Sequence, residues 1–133
     1  MLRYLLDSNL CIRLIRERQP SLRARFDAEA AALCISSVVL FELEYGAANS
    51  GRVVEGRAQV AAFIARLQVL DFDADAARHA GEIRASLRER GQTIGAYDVM
   101  IAGHARSKGL IVVTGNLGEF RRVDGLRCED WLA

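Results

Sequence analysis

The sequence predicts a single α/β domain, residues 1–133, built on a central parallel sheet. Short apolar segments with strand character alternate with longer segments whose apolar residues recur at helical spacing. Residues 110–113 are apolar throughout, as expected of a strand that is covered on both faces. Such alternation is typical of parallel strands joined by right-handed crossovers. With 133 residues, of which 51% are hydrophobic, the chain is long enough for a substantial core and too apolar to be disordered.

Composition excludes few partners. The net charge of +1 does not favour nucleic acid or a membrane surface. Cys11, Cys34 and Cys128 have no metal-site spacing, so we interpret them as small core residues of a reduced, cytoplasmic protein. The sequence shows no signal peptide and no apolar run long enough to span a bilayer, which predicts a protein without a membrane partner.

The first strand and the turn after it form the centre of the prediction. Residues 3–6 have strand character and end on Asp7. Ser8 and Asn9 follow as candidate N-caps of a helix that runs to about residue 15. The carboxyl ends of parallel strands form the edge where ligands bind in open α/β sheets, which makes Asp7 a candidate site residue. Its alternative role is that of a turn or capping residue.

The middle of the chain continues the alternation. Its predicted elements are a helix from Pro20, a strand at 32–36, a helix capped by Ser36 and Ser37, a helix over 53–67, and a short strand at 69–72. The helix after Ser37 carries Val38, Phe41 and Tyr45 at helical spacing, and Glu42 lies just off that apolar stripe.

The last third contains the clearest boundaries. Its predicted elements are a helix from Asp73 or Asp75 to Arg90 closed by Gly91, a helix over 96–108 ended by Gly109, the strand at 110–113, a turn through Thr114, Gly115 and Asn116, a short helical piece through Phe120, and a strand near 126–128.

Four acidic residues occur where such a sheet would bring them together, namely Asp7, Glu42, Asp98 and Glu119. Glu42 and Asp98 lie near helix N-termini, where the helix dipole alone stabilises a carboxylate. Glu119 has the alternative role of a solvated surface residue. Apolar residues flank Glu42 and Asp98, however, and a buried carboxylate needs a partner because burying an unpaired charge is costly.

A cluster of carboxylates predicts a cation. Like charges raise each other's pKa unless a positive ion lies between them. An all-oxygen ligand set suits Mg²⁺ or Mn²⁺, and an ion that keeps some of its waters can activate one to attack a phosphodiester. His79 and His104 are far apart in sequence and lack a zinc motif, so we interpret both as structural.

The order of these segments resembles PIN-domain ribonucleases and, among them, the VapC toxins of VapBC toxin–antitoxin pairs. The segments that carry the resemblance are Leu5-Leu6-Asp7-Ser8-Asn9, Ser36-Ser37 followed by Glu42-Leu43 and Tyr45-Gly46, Tyr97-Asp98 followed by Ile101-Ala102 and Ala105, and 110–114 followed by Asn116 and Phe120. Each segment alone is a weak signal, but the ordered set covers essentially the whole chain and is specific.

The resemblance implies a PIN-like three-layer α/β/α sandwich and a metal-dependent ribonuclease that inhibits translation. It places one or two Mg²⁺ or Mn²⁺ ions at Asp7, Glu42 and Asp98. It also implies a homodimer, and a cognate VapB-type antitoxin that forms a hetero-oligomer with the toxin and fills its site.

One position departs from the family pattern. Many PIN domains have an acid in the turn after the Val-Val-Thr strand, where this chain has Asn116. Glu119, three residues later, resembles the enterobacterial VapC branch, which suggests tRNA, and initiator tRNA in particular, as the substrate. We expect Glu119 to complete the catalytic set, supported by Ser8, Asn9, Thr114 and Asn116.

Three other functions are alternatives to a PIN-domain ribonuclease. A haloacid-dehalogenase-like phosphatase would have a second aspartate at position 9, which is Asn9, and a lysine near the site, whereas Lys108 is the only lysine. A receiver domain would need an early acidic pair, a phosphorylatable aspartate in the middle of the chain and a lysine late in the chain at its site, and no lysine other than Lys108 is present to take that role. A catalytically silent PIN-fold binding module remains open, although the joint presence of Asp7, Glu42 and Asp98 argues against it.

Overall fold

A computed structural model describes residues 1–17 and 19–132. In this part of the chain, five strands alternate with seven α-helices. Strands β1 to β5 span Tyr4–Leu6, Leu33–Ser36, Gln68–Leu70, Ile111–Val113 and Cys128–Glu129. Helices α1 to α7 span Ser8–Arg16, Pro20–Glu29, Ser37–Ala48, Val53–Ile64, Ala74–Glu89, Ala96–Lys108 and Leu117–Phe120, and a short 3₁₀ helix spans Ala30–Ala32.

The strands form one parallel sheet in the order β3-β2-β1-β4-β5. The central strand β1 pairs Leu5 with Cys34 of β2 on one side and with Val112 of β4 on the other. From β1 the chain adds β2 and then β3 on one side of the sheet, and it then crosses back to add β4 and β5 on the other side of β1. The order in which strands are added therefore reverses between β1 and β4, although all strands stay parallel. Right-handed crossovers therefore place α1 to α4 on one face and α5 and α6 on the other. This confirms the predicted three-layer architecture.

The core lies on both faces of the sheet. On one face, the rings of Phe26 in α2 and Phe63 in α4 stack with their centroids 5.6 Å apart. On the other, α6 approaches α5 so closely that a Cβ added to Gly103 would lie 2.5 Å from the Ala80 nitrogen. A glycine is therefore required at this helix crossing. None of the helices in the described part of the chain is long and apolar enough to span a bilayer.

The start of α1 differs from its prediction, and the structure shows which side of α3 is buried. Asp7, rather than Ser8 or Asn9, is the N-cap of α1 and accepts a hydrogen bond from the Leu10 nitrogen. In α3 the core side is formed by Val39, Leu43 and Ala47. Phe41 and Tyr45, which recur at helical spacing on the same helix, are solvent-exposed.

Candidate active site

The site lies at the carboxyl edge of the sheet, where β1 and β4 are neighbours. This is the point at which the strand order reverses, and in open α/β sheets the crevice for a ligand opens at such a point. Asp7 follows β1, and its backbone nitrogen donates to the Val113 carbonyl at the end of β4, at 3.1 Å. Thr114 is the next residue after β4. The backbone therefore brings Asp7 and Thr114 together although 107 positions separate them.

Both carboxylate oxygens of Asp7 are held by protein donors. Oδ1 accepts from the Leu10 nitrogen at 2.9 Å, and Oδ2 accepts from the Thr114 hydroxyl at 2.5 Å. The Thr114 oxygen in turn accepts from the Asn116 nitrogen at 2.8 Å, which fixes the turn after β4. Burial raises the pKa of Asp7, the two hydrogen bonds oppose that rise, and the charge of Glu42 adds to it. The pKa of Asp7 is raised on balance.

Glu42 is connected to Asp7 through the next residue in the chain. The Ser8 hydroxyl donates to Oε1 of Glu42, and Ser8 is the first residue of α1. Glu42 projects from the second turn of α3, which begins at the Ser36 cap after β2. The neighbouring strands β1 and β2 thus each deliver one carboxylate to the same edge of the sheet.

Asp98 and Glu119 form the second half of the site. Asp98 lies in the first turn of α6, and Glu119 in α7, which follows β4. Burial raises the pKa of Asp98 to about 7, and the neighbouring carboxyl of Glu119, together with the charges of Asp7 and Glu42, contributes to the rise. The four predicted acids therefore act on one another electrostatically, although they come from four different segments.

A fifth acid, which we did not predict, lies close to this group. Asp130 follows β5, and its charge contributes to the raised pKa of Asp7. Its Oδ1 accepts from the Leu132 nitrogen at 2.8 Å, which shapes the turn at that end of the chain. The strand prediction near 126–128 placed β5 too early, so Asp130 did not stand out as a residue at the sheet edge.

The chemistry of the acids fits a hard divalent cation. In residues 1–17 and 19–132, no three acidic, histidine or cysteine side chains converge closely enough to enclose a metal ion. In this arrangement, oxygens of Asp7 and Glu42 accept hydrogen bonds from protein donors. Yet Oε2 of Glu119 is buried and has no hydrogen-bond donor in the part of the chain that is described. An ion between the acids would satisfy this oxygen and relieve the repulsion that raises the pKa of Asp98.

The remaining predicted residues line or support this edge. Ser8 and Thr114 contact the acids directly. The side chains of Asn9 and Asn116 are exposed and line a cleft beside Asp7. The histidines contact other parts of the fold. The Nδ1 atom of the buried His104 lies 2.8 Å from the Ser36 hydroxyl, and His79 accepts from Arg106 at 2.9 Å.

Comparisons with known proteins agree with this geometry. The PIN domain matches residues 4–126. Among similar proteins, a tRNA(fMet)-specific endonuclease VapC from Shigella flexneri is 51% identical over 98% of this chain and 99% of its own length. A protein called Ribonuclease VapC2 from Haemophilus influenzae is 43% identical over 99% of this chain and all of its own length.

Solved structures agree as well. A chain in the crystal structure of DNA-bound VapBC from Salmonella typhimurium has a TM-score of 0.96 at 50% identity, covering 98% of this chain and 99% of that one. A chain in VapBC2 from Rickettsia felis, bound to a promoter DNA fragment, has a TM-score of 0.93 at 33% identity, with coverage of 98% and 99%. The chain therefore belongs to the PIN-domain family and, within it, to the VapC ribonuclease toxins.

Proposed function

We propose that the protein is a divalent-metal-dependent endoribonuclease and the toxin of a toxin–antitoxin pair. The observation that carries this proposal is the group of four carboxylates at the reversal point of the sheet, where burial and mutual repulsion raise the pKa of Asp98 to about 7. A site made only of carboxylates repels an anionic substrate unless a cation is present.

Asp7, Glu42 and Asp98 would hold the ion, which we take to be Mg²⁺ or Mn²⁺, and Glu119 would complete the set. The ion would supply positive charge that lowers the pKa of a water and offsets charge on the phosphate. The protein contributes position. Thr114 and Leu10 orient the Asp7 carboxylate, and Ser8 orients that of Glu42.

The reaction class follows from these groups. Hydrolysis joins the oxygen of a water to phosphorus, breaks the bond from phosphorus to the leaving ribose oxygen, and returns a proton to that oxygen. The carboxylates accept the proton of the attacking water, and the low exposure of Asp7, at 3%, keeps bulk water from competing for its hydrogen bonds. The negative charge of the four acids repels RNA in the absence of a cation, so metal and substrate binding are coupled.

The substrate class comes from the relatives. The Shigella flexneri protein is called a tRNA(fMet)-specific endonuclease, and this chain is 51% identical to it. We therefore propose tRNA, and initiator tRNA in particular, as the substrate, whose loss would stop translation initiation.

The purified protein is expected to cut initiator tRNA with Mg²⁺ or Mn²⁺ and to lose this activity in EDTA, because four clustered carboxylates cannot bind a phosphodiester without a cation. Cleavage is measured by sequencing RNA ends, with elongator tRNAs as competitors and activity restored by adding metal back. Cleavage that persists in EDTA would contradict the metal site. If no RNA is cut under any condition, the silent binding module becomes the better reading.

The apolar surface of α3 and α4 is the proposed contact for protein partners. Phe41 and Tyr45 on α3 are 53% and 61% exposed, and Val54 on α4 is 85% exposed. Between α1, α3 and α4 lies a cavity of about 300 Å³ that includes Ile12 and Val60 in its wall. Exposed apolar patches of this kind mark protein interfaces. We propose that a second copy of the chain and a VapB-type antitoxin share this surface, as the VapBC assemblies of the relatives suggest.

Light scattering on the purified toxin is expected to give the mass of a dimer at micromolar concentration. Tyr45→Glu should shift that mass toward the monomer, because it places a charge in the apolar contact. Arg88→Glu, an exposed change on α5, serves as the control. A parent protein that is monomeric across the micromolar range would contradict the dimer.

A further inference from the structure

We propose that Arg13, together with Asn9 and Asn116, forms a subsite that binds a backbone phosphate of the RNA next to the bond that is cut. This inference rests on the proposed ribonuclease function and adds a specific path for the substrate strand. It concerns the cleft beside Asp7, on the side of α1 that faces the loop after β4.

The cleft has a volume of about 370 Å³. Asn9 and Arg13 lie four residues apart on α1, and therefore on the same helical face. Gly115 and Asn116 form part of the cleft wall from the loop after β4. Both walls of the cleft start next to Asp7. In the α1 wall, Asn9 is two residues after Asp7. In the other wall, Gly115 follows Thr114, whose hydroxyl donates to Asp7.

The charge of the lining distinguishes this cleft from its neighbour. The residues that line it include one arginine and two side-chain amides but no carboxylate. The apolar cavity on the other side of α1 is also bordered by arginines, but Glu42 and Glu55 line it as well. A polyanion that approaches Asp7 through the Arg13 cleft therefore meets hydrogen-bond donors and a positive charge, and it avoids both of those glutamates.

Arg13 is chemically suited to this role. A guanidinium binds a phosphate through two parallel hydrogen bonds and stays charged at any working pH. In the structure its ion-pair partner is Glu17, which follows the last residue of α1, at 3.6 Å, and both side chains are about half exposed. Exposed pairs of this kind contribute little to stability, so a phosphate can replace Glu17 at low cost. The subsite would also counter the repulsion between the RNA strand and the four acids.

The test is Arg13→Gln, which keeps a polar, unbranched side chain, shortens it and removes the charge. We expect KM for tRNA to rise about tenfold and kcat to stay within about twofold. The slope of log affinity against log salt concentration should decrease in magnitude by about one, because one phosphate contact is lost. Arg13→Lys should recover part of the affinity, since it restores the charge without the bidentate geometry. The melting temperature should not change, because the side chain is half exposed and outside the core.

Two matched controls distinguish a specific phosphate subsite at Arg13 from a non-specific effect of the protein's net charge on RNA binding. Glu17→Gln removes the ion pair and keeps Arg13, so KM should stay the same or fall. Arg57→Gln removes an exposed arginine on α4, far along the chain from the cleft, and should leave KM unchanged. An Arg13→Gln protein with the KM and salt dependence of Arg57→Gln overturns the proposal, and so does one that loses kcat with KM unchanged.

Binding measurements test the phosphate subsite independently of whether the protein is a ribonuclease. The dissociation constant for tRNA is measured with and without Arg13→Gln in a protein that also carries Asp98→Asn, which needs no cleavage. If the parent protein cuts no RNA but Arg13→Gln still weakens binding and its salt dependence, the subsite stands and the proposed enzymatic function fails. If the parent cuts RNA and binding is indifferent to Arg13, the function stands and the subsite is wrong.

Discussion

Replacing Asp7 or Asp98 with asparagine is expected to lower RNA cleavage by about 10²- to 10⁴-fold, because the amide keeps the shape of the side chain but removes its charge and its capacity to act as a base. The loss should appear in kcat at saturating metal and RNA, and expression of either variant in cells should no longer arrest growth. Glu44→Gln, which changes an exposed acid two residues after Glu42, is the control and should retain activity.

The Asp98→Asn variant also has an expected effect on stability that does not depend on activity. The pKa of Asp98 is raised from 3.8 to about 7, chiefly by burial, so the folded protein binds this proton more tightly than the unfolded chain does. This contribution is present at low pH and is lost as pH rises from about 4 to about 7. In metal-free buffer, the parent should therefore lose stability over this range relative to Asp98→Asn, and the variant should melt at a higher temperature at pH 8.

Thermal melts at several pH values in EDTA measure this difference, and added Mn²⁺ should reverse it by stabilising only the parent. An Asp98→Asn protein that remains toxic and cuts RNA would end the assignment of Asp98. Equal pH dependence of the two proteins would show that Asp98 is not the acid whose pKa the cluster raises.

Glu119→Gln is expected to lower cleavage by about 10- to 10²-fold and to raise the Mn²⁺ concentration needed for half-maximal activity. The physical reason is that Glu119 supplies a fourth negative charge and that its buried Oε2 lacks a hydrogen-bond donor in the described residues. Two ions about 4 Å apart need several negative charges to hold them, and Asp7, Glu42 and Asp98 supply three.

Asn116→Asp is the companion variant, because it restores an acid where many PIN domains have one. At saturating RNA it should keep or improve kcat and lower the Mn²⁺ requirement, while its KM should rise if Asn116 also faces the substrate phosphate. The decisive measurement is a metal titration of single-turnover cleavage. If Glu119→Gln matches the parent across that titration, the site has three carboxylates, and Glu119 is a surface acid held near Asp98.

The helix and strand boundaries were predictable because residues next to each boundary determine where the element begins or ends. Gly109 has a φ of +66°, which favours glycine, and it ends α6 where the sequence indicated. The exposed stripe of α3 was less predictable, since Val39, Leu43 and Ala47 recur at the same spacing as Phe41 and Tyr45. Helical periodicity identifies both stripes and does not say which one the sheet covers.

Some residues of the candidate site were also predictable from the sequence, and others were not. Asp7 stood out because it follows a strand and precedes a helix, and Asp98 because it lies in the first turn of a helix between apolar residues, and both features are visible in the sequence. Arg13 and Asp130 did not stand out. Arg13 is one of many arginines, and only its position across from Asn116 gives it a possible role. Asp130 depends on the register of β5, which sequence patterns set to within a few residues at best.

The bond between Thr114 and Asp7 has a consequence for biosynthesis. It joins residues 107 positions apart, so a growing chain carries Asp7 long before its partner exists. Asp98, Thr114 and Glu119 are all translated in the last third of the chain, and β4 must fold back beside β1 before the edge is complete. Contacts between such distant residues slow folding, because the entropy of closing a long loop opposes them. A nascent or truncated chain therefore lacks a complete site, and a ribosome can finish making this protein before the product is able to cleave RNA.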